Sequence, residues 1–393
     1  MIKIIFRIVL VTAVVLLLVI SGLYIAGHGY IIPAVRYTYL KGYTTANIDD
    51  HTYFDSHVIK TGTPQLWTLH EKYNQIPLSD TLRKELEKYQ SIGFAVFKDG
   101  QLLYEEYWDG YSDQSLTNCF SMAKTVTTML LGKAMEQGYI KSINQLITDF
   151  IPEFLNDSLG KLCTVGDLSA MRSGFDWSEK YTSPFNPTTE AYFGKDIEKM
   201  LLKRTFSERP GGHFKYASAN TQLLAIILKR ATGKGLADYL SEEFWKPMGM
   251  EHEALWSTSG GLEKSFCCIH TNVRDYAKLG QLLLQKGNWN GVQLLDSAFV
   301  ELMVTPVDAA FKPNEPKEYG YSVWVDAVHQ PAFYAFLGHL GQRIIVVPDE
   351  NLVIVRLGKQ EDPRRLGKGH LATDVYYYVD EIISACLELD NED

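Results

Sequence analysis

A serine and a lysine lie three positions apart at the start of an apolar run, in the segment NCFSMAKTVTTMLLGKAM. The apolar spacing from Ser121 to Glu136, closed by Gly138, predicts a helix, which puts Ser121 and Lys124 on one face. A serine hydroxyl becomes a nucleophile only when a base takes its proton. Lysine can be that base if burial lowers its pKa from about 10.4 toward 7, which costs roughly 4 kcal/mol. Backbone N–H groups at the helix start would then hold a developing oxyanion.

Ordinary structural roles also account for these two residues taken alone. Ser121 can serve as a helix N-cap, and Lys124 can be a solvated helix lysine. A second Ser-x-x-Lys, SLGK at 158–161, provides an internal control. It contains a glycine and has no helical run after it, so it predicts a loop. A catalytic role for Ser121 and Lys124 therefore needs support from other residues.

Two further segments carry polar residues suited to a hydrolytic site. The segment PGGHFKYASANTQ places Tyr216 and Ser218 just before another apolar run of helical spacing. The segment LGHLGQRIIVVP places His339, Leu340 and Gly341 on a predicted late strand. Taken alone, Tyr216 would be a core tyrosine and His339 a structural histidine.

With these three motifs in this order, the chain resembles the serine hydrolases related to class C β-lactamases, DD-peptidases and esterases. The flanking segments, among them CFSMAKTVTTMLLGKAMEQGYIKSI and PGGHFKYASANTQLLAIILKRATGKGLADYL, look most similar to the 6-aminohexanoate-dimer hydrolase branch. The resemblance extends over about residues 85–388. Three motifs in family order are far more specific than any one of them.

The resemblance implies roles for individual residues. Ser121 would be the acyl-accepting nucleophile, Lys124 its base partner, and Tyr216 the tyrosine that relays protons to the leaving group and from water. Gly341 would belong to the strand that lines the site. The backbone N–H of Gln342 would pair with that of Ser121 as the oxyanion hole. The resemblance implies no metal and no cofactor.

Two residues depart from the family pattern. Ser218 stands where an asparagine often follows the tyrosine by two positions, which makes β-lactam hydrolysis less expected. His339 stands where a lysine often opens the third motif, so a fixed positive charge for a substrate carboxylate is missing. Arg343 lies four residues on and would restore that charge if a regular strand turned it toward the site.

The elements that must position these residues indicate an α+β fold. Residues 91–111 read as a hairpin about Asp99-Gly100, and β-branched and aromatic runs return after residue 318. Residues 140–300 read mostly as helix and loop. We therefore predict one antiparallel sheet built from N- and C-terminal strands, flanked by helices, with an inserted helical subdomain. Residues 29–84 are expected to be a stalk and lead-in, and residues 85–390 the hydrolase domain.

The N-terminus predicts a membrane anchor over residues 1–28. Lys3 and Arg7 precede an uncharged run, and the stretch from Ile8 to Ala26 alone would span roughly 28 Å as a helix, close to a bilayer core. The positive-inside rule puts the N-terminus in the cytoplasm and the body on the periplasmic or extracellular side of the inner membrane. A signal peptide cleaved near Ser21 is the alternative.

Composition excludes some partners. The net charge is -9 without a long basic block, which argues against nucleic acid. The five cysteines match no disulfide framework. Adjacent Cys267 and Cys268 lack a second ligand pair at zinc spacing, so buried thiols are expected rather than a metal site.

The sequence thus predicts a membrane-anchored serine hydrolase that cleaves a small-molecule amide or ester through an acyl-enzyme. A DD-peptidase acting on cell-wall peptides is one alternative. A non-catalytic binding or sensor protein on the same fold is another. Substrate identity would depend on loops at about 175–200 and 305–318.

Overall fold

Short strands and helices alternate along the computed structural model, which describes residues 1–312, 315 and 317–391. Residues 313, 314 and 316 of the predicted 305–318 substrate loop therefore lie outside the described residues. The strands are β1 (Ser56–Ile59), β2 (Ser91–Lys98), β3 (Gln101–Tyr107), β4 (Thr117–Asn118), β5 (Ala254–Ser259), β6 (Leu262–Glu263), β7 (Ile269–Thr271), β8 (Asn288–Trp289), β9 (Val292–Gln293), β10 (Trp324–Asp326), β11 (Phe333–Gly338), β12 (Gln342–Val347) and β13 (Leu352–Gly358). The helices are α1 (Ile2–Ile25), α2 (Ile31–Tyr37), α3 (Asp80–Lys88), α4 (Met122–Glu136), α5 (Val165–Ser169), α6 (Pro187–Phe193), α7 (Ile197–Leu202), α8 (Ser218–Thr232), α9 (Leu236–Leu240), α10 (Val273–Leu284), α11 (Ser297–Val304) and α12 (Thr373–Asn391).

The main sheet joins the two ends of the chain, as the sequence predicted. Its strand order is β10-β11-β12-β13-β2-β3, and every neighbouring pair is antiparallel. The predicted hairpin is β2–β3, turned by Asp99 and Gly100, both at positive φ as a tight two-residue turn requires. β13 closes the sheet against β2, with Ile354 opposite Val96.

Both faces of this sheet are buried, which explains why its strands read as continuous apolar runs. On one face, residues such as Phe94 and Ile345 pack against α3 and α12. On the other, residues such as Ala95 and Ile344 belong to the large core that includes α4, α8 and α10. The helix that carries Lys124 thus packs between the sheet and the inserted subdomain.

A second, smaller sheet lies within the region predicted to be mostly helical. β1, β5, β7 and β4 pair in that order, with β6 on β5, and β8 and β9 form a separate hairpin. Residues 140–300 are mostly helix and loop, as expected, but they also contain the short strands β5 to β9, which the sequence did not reveal. These strands have two to six residues each, too few for an alternating pattern to be distinguished from loop.

The segment predicted as a stalk is instead folded onto the body. α2 packs against α6, Ile48 and Ile59 are buried, and β1 pairs with β5 across the register Ser56 to Ser257. The prediction of a stalk was wrong because these residues are held by contacts with distant parts of the chain. Such contacts produce no periodic pattern in the local sequence. Only the glycine-flanked connection at residues 27–29 separates α1 from this packed region.

The third motif forms a tight turn between β11 and β12, whereas the sequence placed it on a strand. Leu340 and Gly341 both have positive φ, at 60° and 84°. Arg356 on β13 is fully buried and its Nη1 donates to the carbonyls of Leu340 and Gly341, at 3.1 and 2.9 Å. Its other donors reach Tyr89 O and Ser91 Oγ. One guanidinium therefore ties the turn to the centre of the sheet.

We expect Arg356→Lys to lower the free energy of unfolding by about 3 kcal/mol, because one ammonium cannot replace a planar fork and leaves buried carbonyls unpaired. Denaturant unfolding in detergent micelles measures this. Arg83→Lys is the matched control, since Arg83 is exposed and its ion pair is with Glu106 at the surface. It should change stability by less than about 0.5 kcal/mol. Equal effects of the two substitutions would contradict the role given to Arg356.

Candidate active site

Ser121 occupies a sharp junction between β4 and α4. Phe120, just before it, has a φ of 47°, and Ser121 is the N-cap of α4. The Oδ1 atom of Asn118 accepts from the N–H groups of Phe120 and Cys268, at 2.8 and 3.1 Å. In the part of the chain that the structure describes, the N–H of Ser121 donates to no other group. The helix start therefore offers a free donor beside the serine hydroxyl.

Lys124 is buried directly beneath this serine. Its Nζ lies 2.8 Å from the Oγ of Ser121 and 2.9 Å from the carbonyl oxygen of Phe266. Burial lowers the pKa of Lys124 to about 8, and the charge of Glu179 only partly opposes that shift. A lysine near this pKa is neutral in a useful fraction of molecules, so it can accept the proton of the serine.

Tyr216 packs against the same lysine. Its ring centroid is 5.0 Å from the Lys124 Nζ, and the ring stacks on Trp324. Burial raises the pKa of Tyr216, and a hydrogen bond with Ser121 opposes that rise. The phenol is therefore a protonated hydroxyl within reach of the serine. The structure thus brings Ser121, Lys124 and Tyr216 together.

A carboxylate that the sequence analysis missed reaches Ser218. Glu179 accepts from the N–H of Ser218 at 2.9 Å and from its hydroxyl at 2.7 Å, and it also accepts from the indole of Trp177. Ser218 is therefore engaged by an acidic side chain that lies close enough to influence Lys124. The segment DWSEKY carried no spacing signal that would have singled out this glutamate.

His339 lies at the wall of the site. Its ring packs edge-on against Phe120 and at a tilt against Tyr181, and its Nε2 is 3.1 Å from the Oγ1 of Thr45. Burial lowers the pKa of His339, so the ring is neutral near pH 7. It contributes shape and a polar edge there, and no fixed positive charge.

Gly338, which precedes the predicted motif, was missed and makes the close approach to the nucleophile. A Cβ at this position would lie 2.2 Å from the carbonyl oxygen of Cys119, so only glycine allows β11 to end against the chain before Ser121. Gly341 ends the turn and Gln342 begins β12, and neither borders the two cavities at Ser121. Gln342 is buried, with its side-chain amide bonded to the carbonyls of His339 and Gly358.

Arg343 faces the site, but its charge is already compensated. Its Nη2 lies 3.4 Å from both Asp374 and Glu361, and its Nη1 donates to the carbonyl of Gly338. The arginine supports the end of β11 rather than supplying the free positive charge that the sequence analysis considered. The reason is that Asp374 begins α12, which covers this face of the sheet.

Two cavities meet at Ser121, Tyr181 and His339. The apolar cavity, of about 480 Å³, has an almost wholly apolar surface and is bordered by Thr45, Ala46, Phe120, Ser121, Tyr181, Thr188, Thr189, Tyr192, Phe193, Ser218, Phe266, Cys267 and His339. The polar cavity, of about 560 Å³, is bordered by Ser121, Tyr181, Tyr216, Trp324, Leu337, Gly338, His339, Arg343, Glu361, Arg365, His370 and Ala372. Both cavities reach the serine and are partly open to solvent.

Cys267 and Cys268 are joined to each other by a disulfide, which corrects the expectation of two buried thiols. The cysteine spacing did not predict this bond, because a disulfide between neighbouring residues links no distant segments of the chain. The pair directly follows Phe266, whose carbonyl contacts Lys124. Cys119 and Cys163 are buried free cysteines.

A model of the beta-lactamase family matches residues 78–376. The 6-aminohexanoate-dimer hydrolase of Paenarthrobacter ureafaciens is 23% identical over 299 residues, covering 72% of this chain and 76% of that protein. An Escherichia coli (strain K12) protein provisionally named D-alanyl-D-alanine carboxypeptidase is 24% identical, over 76% of this chain and 87% of its own length.

The fold is also similar to a solved structure. A Bacillus anthracis protein provisionally named 6-aminohexanoate-dimer hydrolase superposes with a TM-score of 0.68 at 20% identity, covering 90% of this chain and 94% of that one. At this identity the likeness concerns the fold. It supports the observed arrangement of one main antiparallel sheet, covering helices and an inserted subdomain.

We expect the labelling of Ser121 by a fluorophosphonate to accelerate as pH rises through about 8 and then to level off. Burial lowers the pKa of Lys124 to about 8, so its neutral form, the one able to accept the proton of the serine, accumulates above that pH. Mass spectrometry of the labelled peptide over a pH series measures the rate. Lys124→Ala should label slowly and without this rise. A wild-type rate that is flat or falls across this range would contradict the assignment.

Proposed function

The chain belongs to the beta-lactamase family, and on that premise we propose that it is a membrane-anchored serine hydrolase that cleaves an ester or amide bond through an acyl-enzyme on Ser121. The observation that carries the proposal is the buried Lys124 at 2.8 Å from the serine hydroxyl. Burial of a lysine there costs free energy because it disfavours the charged form, and a purely structural role would not need a buried lysine. Relatives named as hydrolases support the same reaction type.

In the acylation step, neutral Lys124 removes the proton from the Oγ of Ser121, which attacks the carbonyl carbon of the substrate. The oxygen of the tetrahedral intermediate takes the negative charge and is held by the N–H of Ser121. We expect a second donor at the end of β11, near Gly338, rather than at Gln342. Collapse of the intermediate expels the leaving group, which receives a proton from the hydroxyl of Tyr216.

In the deacylation step, water attacks the acyl carbon. Acylation has left Tyr216 without its hydroxyl proton and Lys124 with an extra one, and both groups lie within hydrogen-bonding reach of the serine. The Tyr216 oxygen takes the proton of that water, and Lys124 returns a proton to the Oγ of Ser121. The net reaction adds water across the ester or amide bond. No group other than these side chains is required for the proton transfers.

A cell-wall D-alanyl carboxypeptidase remains the second candidate, favoured by the name of the Escherichia coli relative and by the expected external location. Such a substrate ends in a carboxylate, which calls for a free cation. His339 is neutral near pH 7, Arg343 already pairs with Asp374 and Glu361, and Arg365, the other arginine bordering the polar cavity, also lies 3.9 Å from Glu361. Uncharged esters and linear amides therefore suit this site better than peptides or β-lactams that carry a carboxylate.

The anchor is part of the proposal. α1 has a mean hydropathy of 2.9 over its most apolar window, and none of its residues is buried against the body. An exposed apolar helix of this length is long enough to cross a bilayer. Lys3 and Arg7 at its start favour an N-terminus in the cytoplasm and a catalytic domain outside the inner membrane. A signal peptide would share these features.

We expect Ser121→Ala to abolish hydrolysis of p-nitrophenyl esters and covalent labelling, a loss on the order of 10⁶ in kcat. Lys124→Ala should lose at least about 10² to 10⁴, the usual contribution of a general base. Tyr216→Phe keeps the ring and removes only the hydroxyl, so it should slow turnover while the protein stays folded.

Ser158→Ala is the matched control, because it alters the other Ser-x-x-Lys, on an exposed turn. Its activity should equal that of the unmodified protein. A panel of esters, linear amides, a D-alanyl dipeptide and a cephalosporin separates the two candidate functions. If all variants fold and none changes turnover of any substrate, a non-catalytic role replaces the proposal.

We expect the orientation to be testable with a reporter enzyme that works only outside the cytoplasm. Fused to the C-terminus, this reporter should show activity, and the fusion should sediment with membranes after an alkaline wash. The reason is that α1 carries its positive charges before the span. The same fusion without residues 1–28 should be inactive. Release of the active fusion as soluble protein would indicate a cleaved signal, and activity restricted to a cytoplasmic reporter would contradict the orientation.

A further inference from the structure

The chain passes from the membrane anchor into the wall of the active site within a short distance. α1 ends at Ile25, and Tyr30 and Ile31 are already buried in the body. The four residues between Ile25 and Tyr30 allow the chain to extend by at most about 17 Å. The headgroup region of a bilayer leaflet is itself about 5 to 8 Å thick. With α1 in the membrane, the region around α2 therefore lies close to the bilayer surface.

The same segment then borders the nucleophile. Thr45 and Ala46 line the apolar cavity beside Ser121, and the hydroxyl of Thr45 is 3.1 Å from His339. Buried Asp50, five residues on from Thr45, accepts from the hydroxyl of Tyr192, another residue of that cavity. The juxtamembrane segment is thus a fixed part of the site.

The outer wall of the apolar cavity also rests on residues next to the anchor. The ring of His28 packs edge-on against Phe185 at 5.7 Å, and the hydroxyl of Tyr39 donates to the carbonyl of Thr182 at 3.4 Å. Those two contacts hold the 181–193 segment, which supplies five of the residues that border the cavity. One wall of the apolar cavity therefore rests on the segment that follows the anchor.

Several large apolar side chains of the anchor's end, of the segment that follows it and of the cavity-wall segment are exposed. We call them the juxtamembrane patch, formed by Tyr24, Tyr39, Leu40, Tyr43 and Phe185. Leu40 is 75% exposed and Phe185 64% exposed, although both lie beside the anchor. Tyrosine and other aromatic residues with one polar and one apolar end are the types that favour the bilayer interface. Contact with lipid headgroups accounts for this exposure.

The lining residues of the two cavities indicate which part of a substrate each cavity would hold. Tyr216, the proton donor to the leaving group, borders the polar cavity and not the apolar one. The leaving group must therefore lie on the polar side, where Arg365 and His370 supply hydrogen-bonding groups. The acyl group then extends into the apolar cavity, on the side of Thr45 and Ala46.

We propose that the substrate is a bilayer-resident amphiphile, an ester or amide of an aliphatic acyl chain with a polar leaving group, which enters from the headgroup region. This inference rests on the proposed function. The acyl chain occupies the apolar cavity and is transferred to the Oγ of Ser121 as the polar alcohol or amine leaves with a proton. Water then releases the free fatty acid.

The first test uses the full chain in phosphatidylcholine vesicles and p-nitrophenyl esters from acetyl to decanoyl. Each methylene that becomes fully buried raises kcat/KM by up to about fourfold. We therefore expect the octanoyl ester to exceed the acetyl ester by at least about tenfold. Ser121→Ala must abolish hydrolysis of both, which excludes background cleavage.

A pair of alanine variants tests the cavity. Ala46→Asp puts a charge into the apolar cavity and should lower the octanoyl-to-acetyl ratio at least about tenfold. Ala332→Asp is the control, because Ala332 is also partly buried but borders a different cavity, next to α11 and β10. It should leave the ratio unchanged.

A pair of surface variants tests the membrane contact and does not depend on how Ala46→Asp folds. Leu40→Ser should reduce turnover of a decanoyl ester embedded in the same vesicles about fivefold, and should leave the acetyl ester in solution unaffected. Val328→Ser, at an equally exposed apolar residue on the β10–β11 loop, should change neither rate.

The outcomes separate this inference from the proposed function. Serine-dependent hydrolysis of the acetyl ester without any gain from longer chains overturns the amphiphile substrate and leaves the hydrolase intact. Equal losses from Leu40→Ser and Val328→Ser overturn the entry route. Absence of hydrolysis of every ester and amide overturns the proposed function and this inference with it.

Discussion

The site depends on the removal of one ammonium group from water. A lysine whose pKa falls from 10.5 to about 8 has lost about 3 kcal/mol of stabilisation of its charged form, and that loss must be offset by packing elsewhere. The packing comes from three directions: Phe266 on one side, Tyr216 on another, and the buried helix α4 itself. Looser packing at any of these would admit water and return Lys124 to a charged form that cannot act as a base.

Ser121 is positioned by segments that are far apart in sequence and share one polar network. Asn118 holds the chain before Ser121 and also donates to Asp50 and Tyr192. The nearby Lys264 donates to the carbonyl of Tyr192, and burial lowers its pKa while burial raises the pKa of Asp50. Because the members of this network are buried, removal of any one leaves another unpaired. The lead-in segment, β4 and α6 are therefore held in a fixed relation to the serine.

What the sequence could predict follows from the range of the interactions involved. α4, the β2–β3 hairpin and the late strands have local apolar patterns, so they were predicted correctly. The lead-in segment and β5 to β9 were not, since their strands are short and gain stability from distant partners. The need for glycine at position 338 could not be predicted, because it arises from the close approach of the Cys119 carbonyl in the folded chain. Glu179 gave no signal because its partner Ser218 lies 39 residues away.

The pairing of β1 with β5 has a consequence for where the chain can be shortened. The family model begins at residue 78, which suggests a soluble fragment starting there. Such a fragment would lack β1, and β5 would become an unprotected edge with free backbone donors and acceptors, a template for association between copies. It would also lack Asp50, so that Asn118 and Tyr192 would be left with an unfilled polar gap. A soluble form that begins near residue 29, just after the anchor, keeps both features.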